Sequence, residues 1–347
     1  MYSSESDIRS AAEHILDGKV VVFPTETVYG LGANALDPCA VGAIFEIKSR
    51  PADNPLIVHL ATPDEVGRVA QDVGTTARRL LAEFSPGPLT VVLAASPELP
   101  HIVTAGLDTV AVRIPAHPVA QGLIMAAGVP VAAPSANRSG EPSPTTVEMA
   151  RRSLGLAPAA YLDGGPCEIG LESTVVAVMG DEVHILRPGA VTETDILAVL
   201  PDVTVHAEGA ERTEARAVPA APASPGTRHR HYQPKAEVCL YDNLDQLREF
   251  LVRPAEQDGV YGVIVPAQKL GCRPRVAGRA EQSAAVVRSY ADLREYARHL
   301  YGWFDEFDES SVSVVFAHLP RGTGLATALR DRLIRASGGR RIRDHSP

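Results

Sequence analysis

The sequence of 347 residues predicts an α/β protein of two domains: an N-terminal twisted mixed sheet flanked by helices, then a smaller Rossmann-like α/β/α unit. Three observations predict it. Apolar runs of strand length alternate with patterns of helical spacing over residues 1–200. A Pro- and Ala-rich stretch, 201–234, then breaks the pattern and reads as a semi-extended linker. Beyond it, strand runs and helical patterns resume over 235–347.

The first domain can be read element by element. Ile8, Ala11, Ala12, Ile15 and Leu16 share a helical face that Gly18 is placed to end, and Val20 to Phe23 follows as a buried strand. Asp37-Pro38 caps a second helix with Val41, Ile44 and Phe45 on one face. Pro55 to Leu60 is a strand, and Thr62-Pro63-Asp64-Glu65 has the form of a capping box opening a helix. Further strands are expected at Leu89 to Ala94, Thr109 to Ile114 and Val129 to Ala133. Ser173 to Met179 and Val183 to Leu186 flank Gly180-Asp181 as a hairpin, and Thr192 to Leu200 is a capped helix. In the second domain the strands are Val238 to Tyr241, Val260 to Val265 and Val312 to Ala317. Its helices are Leu244 to Leu251, Ala291 to Phe307 and Thr323 to Ala336.

Composition narrows the class of function. With 45% hydrophobic and 22% charged residues and no apolar run near the roughly 20 residues of a membrane span, a soluble, non-membrane protein is expected. The start Met1-Tyr2-Ser3-Ser4-Glu5 has neither the basic segment nor the apolar core of a signal peptide, which points to the cytoplasm. Cys39, Cys167, Cys239 and Cys272 lack Cys-x-x-Cys spacing and read as buried free thiols, so no metal ligands are assigned. A net charge of -9 argues against a broad nucleic-acid surface, and direct nucleic-acid binding is expected to be weak or absent.

Four segments carry candidate chemistry. Ala133 to Thr146 is a polar, turn-rich loop before a helical pattern. Its Ser135, Asn137, Ser139, Ser143, Thr145 and Thr146, with the charge of Arg138, suit an anion, although the same residue types also make ordinary turns. Pro24 to Ala35 follows a strand end, where ligands bind in α/β sheets. Its Gly30-Leu31-Gly32-Ala33-Asn34-Ala35 satisfies the G-x-G-x-x-A dinucleotide pattern, but six residues separate it from the strand and no helix starts before Asp37. Lys48 and Arg50 beside Asn54 suit a triphosphate or, more simply, complement a helix C-terminus. His59 sits alone in an apolar strand, where the default is a satisfied core histidine. Arg113, in an equally apolar strand, needs an anionic partner, either a carboxylate of the fold or one of a ligand; Arg187 poses the same question.

Taken together the segments resemble the YrdC-like family, and within it the two-domain threonylcarbamoyladenylate synthases. The resemblance rests on Pro24 to Gly32, Lys48 to His59, Pro86 to Thr90, Val112 to Pro115, Pro134 to Gly140, Glu172 to Val176 and Arg187 to Gly189, and it continues through Ser224-Pro225-Gly226 and His231 to Pro234. It departs at Ala177, where the hairpin usually has Asp, and at Thr227 and His229 in the linker.

The resemblance implies an enzyme that joins L-threonine, bicarbonate or CO2, and ATP into threonylcarbamoyl-AMP and releases pyrophosphate. It implies a downstream threonylcarbamoyl transferase complex that modifies an adenosine beside the tRNA anticodon. By the family's pattern Thr27, His59, Arg113, Ala133 and Ser173 bind threonine. Lys48, Arg50, Asn54, Thr109, Ser135, Asn137, Ser143, Arg187 and His231 bind ATP, aided by Mg2+, with Lys48 and Arg50 catalytic. Residues 201–234 would form a lid. The competing expectations are a carbamoyl-phosphate-dependent carbamoyltransferase and an RNA-binding module.

Overall fold

The computed structural model describes residues 2–207, 232–252, 260–269 and 285–342. The chain divides into two compact units, Met1–Ser139 with Ser143–His229, and Arg230–Pro347 with Gly140–Pro142. Among the described residues no helix is long and apolar enough to cross a membrane.

In the first unit the elements are α1 (Glu5–Leu16), β1 (Val21–Phe23), β2 (Gly30–Asn34), α2 (Pro38–Lys48), β3 (Ile57–His59), β4 (Ala70–Gln71), α3 (Thr75–Phe84), β5 (Leu89–Ala95), α4 (His101–Thr104), β6 (Thr109–Arg113), α5 (Pro118–Ala127), β7 (Val131–Ala132), α6 (Val147–Leu154), β8 (Ala160–Tyr161), β9 (Thr174–Met179), β10 (Glu182–Arg187), α7 (Glu193–Val199) and β11 (Thr204–Ala207). The strands form one mixed sheet ordered β11-β10-β9-β5-β6-β3-β7-β2-β1-β8, with β4 paired to β5.

Local chemistry explains the starts and stops. Ser4 caps α1 in a capping box with Asp7, and Gly18 turns the chain at φ +75°. The Asp37 carboxylate accepts from the Cys39 and Ala40 N–H groups, with Pro38 at the first helical position of α2. The capping box at Thr62 is present, but it opens a six-residue 3-10 turn, Pro63–Arg68, instead of a longer helix. Its last N–H groups bond three residues back, and Gly67 sits inside the run.

Gly30 and Gly32 lie in strand β2, antiparallel to β1, so the G-x-G-x-x-A match is not a strand-to-helix phosphate turn. Glycine is required at 32 for packing: a Cβ there would lie 2.7 Å from both the Phe23 ring and Val131.

Alternation gives the sheet two distinct faces. Val91, Leu93, Val110, Val112, Val176, Val183 and Ile185 point into the main apolar core. Val92, Ala111, Val175, Ala177 and Ile57 form a small cluster on the opposite face. That second face carries the candidate site.

The reading of 201 onward as linker is corrected at its start, because Thr204–Ala207 pairs in parallel with β10. An edge strand gains its stability from backbone pairing and needs no apolar pattern, so composition did not mark it. Residues 208–231 of the expected lid, His231 among them, lie outside the described residues. Of the cysteines, Cys167 is buried, Cys239 half-buried and Cys39 exposed on the first turn of α2; Cys272 lies outside the described residues.

The second unit holds β12 (Glu237–Tyr241), α8 (Leu244–Val252), β13 (Tyr261–Pro266), β14 (Ala285–Tyr290), α9 (Leu293–Glu309), β15 (Val314–His318) and α10 (Leu325–Ser337). Its four strands are all parallel, in the order β12-β15-β13-β14. Helix α9 buries Tyr296, Leu300, Tyr301, Phe304 and Phe307, as expected of a helix covering a parallel sheet.

Candidate active site

Strand register gathers the predicted amino-acid residues into one row. His59 of β3 pairs with Arg113 of β6, Arg113 pairs with Thr90 of β5, and the Thr90 and Ser173 hydroxyls lie 2.7 Å apart. Ala133 flanks β3, its N–H donating to the Ile57 carbonyl at 2.9 Å. Thr27 joins through Arg113, whose Nη1 donates to the Thr27 hydroxyl at 2.8 Å. The row therefore holds all five residues expected to bind threonine.

Arg113 is 3% exposed, so its charge requires a partner within the fold. Glu26 provides it: Arg113 Nη2 donates to Glu26 Oε1 at 2.7 Å, and Nε donates to the Gly87 carbonyl at 3.3 Å. Glu26 Oε2 in turn accepts from the Ala116 N–H at 3.0 Å. Of the two partners that the sequence left open for this arginine, the fold supplies a carboxylate of its own. Of the five guanidinium N–H donors, three are engaged in these bonds, which leaves two for a ligand. Glu26→Gln is expected to lower stability by about 1–3 kcal/mol through the weakened buried pair, read by thermal unfolding.

His59 is buried and stacks edge-on against Phe23 at 6.0 Å. Its Nδ1 has no hydrogen-bond partner. Burial first, and the Arg113 charge second, push its pKa down to about 3. The unfolded chain takes up this proton near pH 6.5 and the folded chain only near pH 3, so stability falls as pH drops through that window. Relative to His59→Gln, the native protein is expected to lose on the order of 2 kcal/mol between about pH 6.5 and pH 5, measured by denaturant unfolding at each pH.

The loop after β7 forms the adjoining wall. Lys48, 1% exposed at the end of α2, donates from Nζ to the Ser135 carbonyl at 2.6 Å and to the Asn137 carbonyl. The Ser135 hydroxyl donates to Asn137 Oδ1 at 2.5 Å. The Tyr29 N–H bonds Pro144 and the Ala136 N–H bonds Tyr29, stitching this loop to the segment that carries Glu26 and Thr27. Ser143 donates to Glu172 Oε1 at 2.5 Å, next to Ser173.

Arg187 reaches the row through a β-bulge. Ile185 faces the core opposite Val176, and by simple alternation Arg187 would follow it. A register shift places Arg187 opposite Val175 instead, on the other face, where its Nε and Nη2 donate to the Ser173 carbonyl at 3.1 and 3.0 Å. Gly189 closes this turn so tightly that a Cβ would lie 2.4 Å from the Thr174 nitrogen and 2.8 Å from the Glu172 carbonyl. Gly189→Ala must therefore displace Ser173, and at least a tenfold loss of activity is expected with the rest of the fold intact by circular dichroism.

The remaining expected residues are placed less directly. Arg50 donates to the Asn54 and Pro55 carbonyls at 3.1 and 2.9 Å, so it shapes the turn into β3. Thr109 shares the face of Arg113 but stands four residues, or ~13 Å, along β6, so it does not join the cluster. Arg138 donates to the Ser153 carbonyl, and Thr146 caps α6, so both serve the helix. The sequence reading missed Glu172 and Thr90 as partners of Ser143 and Ser173. Glu172 could have been noticed as an acidic residue opening the Ser173 strand.

Fold and site together define an α/β protein with a buried polar row across one face of a large mixed sheet and a smaller parallel α/β unit. Residues 13–189 match the Sua5/YciO/YrdC family model, described as "Telomere recombination". Residues 191–338 match the model described as "Threonylcarbamoyl-AMP synthase, C-terminal domain". The threonylcarbamoyl-AMP synthase of Bacillus subtilis is 39% identical, covering 98% of this chain and 96% of the relative. That of Pyrococcus abyssi is 40% identical with the same coverage. The crystal structure of P. abyssi Sua5 complexed with L-threonine superposes with a TM-score of 0.86 at 38% identity, covering 99% of this chain and 98% of that one. The chain belongs to the two-domain threonylcarbamoyl-AMP synthase family.

Proposed function

We propose that this chain joins L-threonine, bicarbonate or CO2, and ATP into threonylcarbamoyl-AMP with release of pyrophosphate. The observation that carries the reading is the single row of Ala133, His59, Arg113, Thr90 and Ser173, stitched to the Lys48-braced loop. The two N–H donors of Arg113 not engaged within the fold match a carboxylate, and the Thr27 and Ser173 hydroxyls suit the threonine hydroxyl. Neutral His59 places no second cation beside the substrate amine.

Threonine's amine captures CO2 as a carbamate, whose oxygen attacks the α-phosphorus in line as pyrophosphate leaves. The residues that this step needs are positioning donors and cations, and none has to act as a covalent nucleophile. Lys48, Arg50, Asn54, Ser135, Asn137, Ser143 and Arg187 hold the nucleotide in this reading, with Thr109 further along the same face. Mg2+ favours phosphate oxygens plus one or two carboxylates, and Glu172 beside Ser143 is a carboxylate of that kind at the loop. When bound, the ion would neutralise phosphate charge. The product would pass, in the cytoplasm, to a complex that modifies tRNA.

The reading is tested by pyrophosphate release from ATP. Release should require threonine and bicarbonate together. Release with neither, or none with both, would refute it.

A further inference from the structure

Far along the sheet from Arg113, three metal-ligating side chains converge that the proposed reaction does not use. We propose that Glu182, His184 and His206 form a binding site for zinc or a similar borderline divalent transition ion. Glu182 and His184 are two residues apart on β10 and share a face, since Val183 and Ile185 between and after them point into the core. His206 of β11 stands directly opposite His184 in parallel register. The two imidazoles stack, with centroids 4.5 Å apart and an interplanar angle of 15°, so their ring edges run together.

Both Nε2 atoms approach one carboxylate oxygen, Glu182 Oε2, at 3.3 Å from His184 and 3.5 Å from His206. A tetrahedral zinc ion with bonds of about 2.0–2.1 Å requires its ligands about 3.3–3.4 Å apart. Two edges of the trio already have that length, and its three ligand atoms all lie within 4.8 Å of one another. The His206 and Glu182 side chains are about half exposed, so a small side-chain rotation closes the third edge and solvent ions have access. Two imidazoles and a carboxylate, with a fourth position left for water, are a zinc-type donor set. A bound ion would clip β11 to β10 at residues 204–207, at the start of the stretch expected as linker.

The test uses the full chain, stripped with chelator and titrated with Co2+ or Zn2+ alone. Native protein is expected to show the visible absorption of tetrahedral Co2+ at one equivalent, and zinc should raise its melting temperature. His206→Ala and Glu182→Gln should each weaken binding by at least about tenfold, because loss even of an outer partner costs metal sites that much. His206→Ala without metal should melt like the native chain, as its side chain is exposed. No tetrahedral Co2+ spectrum in the native chain, or one undiminished in both variants, would overturn the proposal and leave a histidine–carboxylate contact.

Discussion

Arg113→Lys is expected to raise the KM for threonine by about 100-fold or more while leaving the chain folded. The guanidinium engages Glu26, Thr27 and the Gly87 carbonyl from three directions and still has two N–H donors for a ligand carboxylate. An ammonium is a single point with three donors on a different arc, so it cannot keep these contacts and present a bidentate fork. Because lysine keeps the charge, Glu26 does not become an isolated buried anion, and the stability loss is expected to stay near about 1–2 kcal/mol. Arg113→Ala removes the charge as well and should cost about 3–5 kcal/mol, the scale for breaking a buried pair from one side. Pyrophosphate release against threonine concentration and thermal unfolding separate the two effects. Equal threonine KM in native and Arg113→Lys protein would remove this arginine from the substrate site.

Lys48→Met is expected to lower the rate of pyrophosphate release by about 100- to 1000-fold. Methionine keeps most of the apolar stem in its buried slot, so the change isolates the ammonium. Without it the Ser135 and Asn137 carbonyls lose a charged donor, and the loop holding Ser135, Asn137 and Ser143 keeps its backbone tie to α2 from the Ser139 N–H to the Lys48 carbonyl but loses its side-chain tie. The lost charged hydrogen bonds correspond to about 2–3 kcal/mol of stability, readable as a shift in the denaturation midpoint. Should the variant melt earlier yet turn over normally, Lys48 would be a structural brace alone. Lys48→Arg is not expected to restore activity, since a 1% exposed site has no room for the wider head group.

Much of the fold was legible because its cues are local. Asp37-Pro38 and Thr192 announced helices that begin where their caps stand. The Val20 to Phe23, Leu89 to Ala94 and Thr109 to Ile114 runs became β1, β5 and β6 within a residue or two. Helices α3 and α5 were not among the expected elements. The second, PVAQGLIMAA, is apolar almost all round and offers no polar face to set off a stripe. Strand β7 lies inside the expected Val129 to Ala133 run, but strands β4 and β8 span two residues each, too short for any period, and owe their existence to a partner strand.

The site divides in the same way. That Arg113 needed an anion was legible, since a charge in an apolar strand is costly wherever it lies. Which anion answered it was not: Glu26 is 87 residues away in sequence. Lys48 likewise carried its charge at the end of a recognisable helix, but only folding aimed it at carbonyls 87 and 89 residues on. The Glu182-His184 spacing on one strand face was visible, whereas His206 was read as linker until β11 paired beside it.

The amino-acid sequence by itself determined the two-domain α/β class, the order of its motifs and the residue types of the candidate site, because periodicity, caps and motif spacing are properties of neighbours along the chain. The tertiary structure alone decided the partners: Glu26 for Arg113, Glu172 for Ser143, Ser173 for the bulged Arg187, and the trio on β10 and β11. Such pairings depend on strand order and register, which arise when separate segments bury their apolar faces together, and no local pattern encodes that choice.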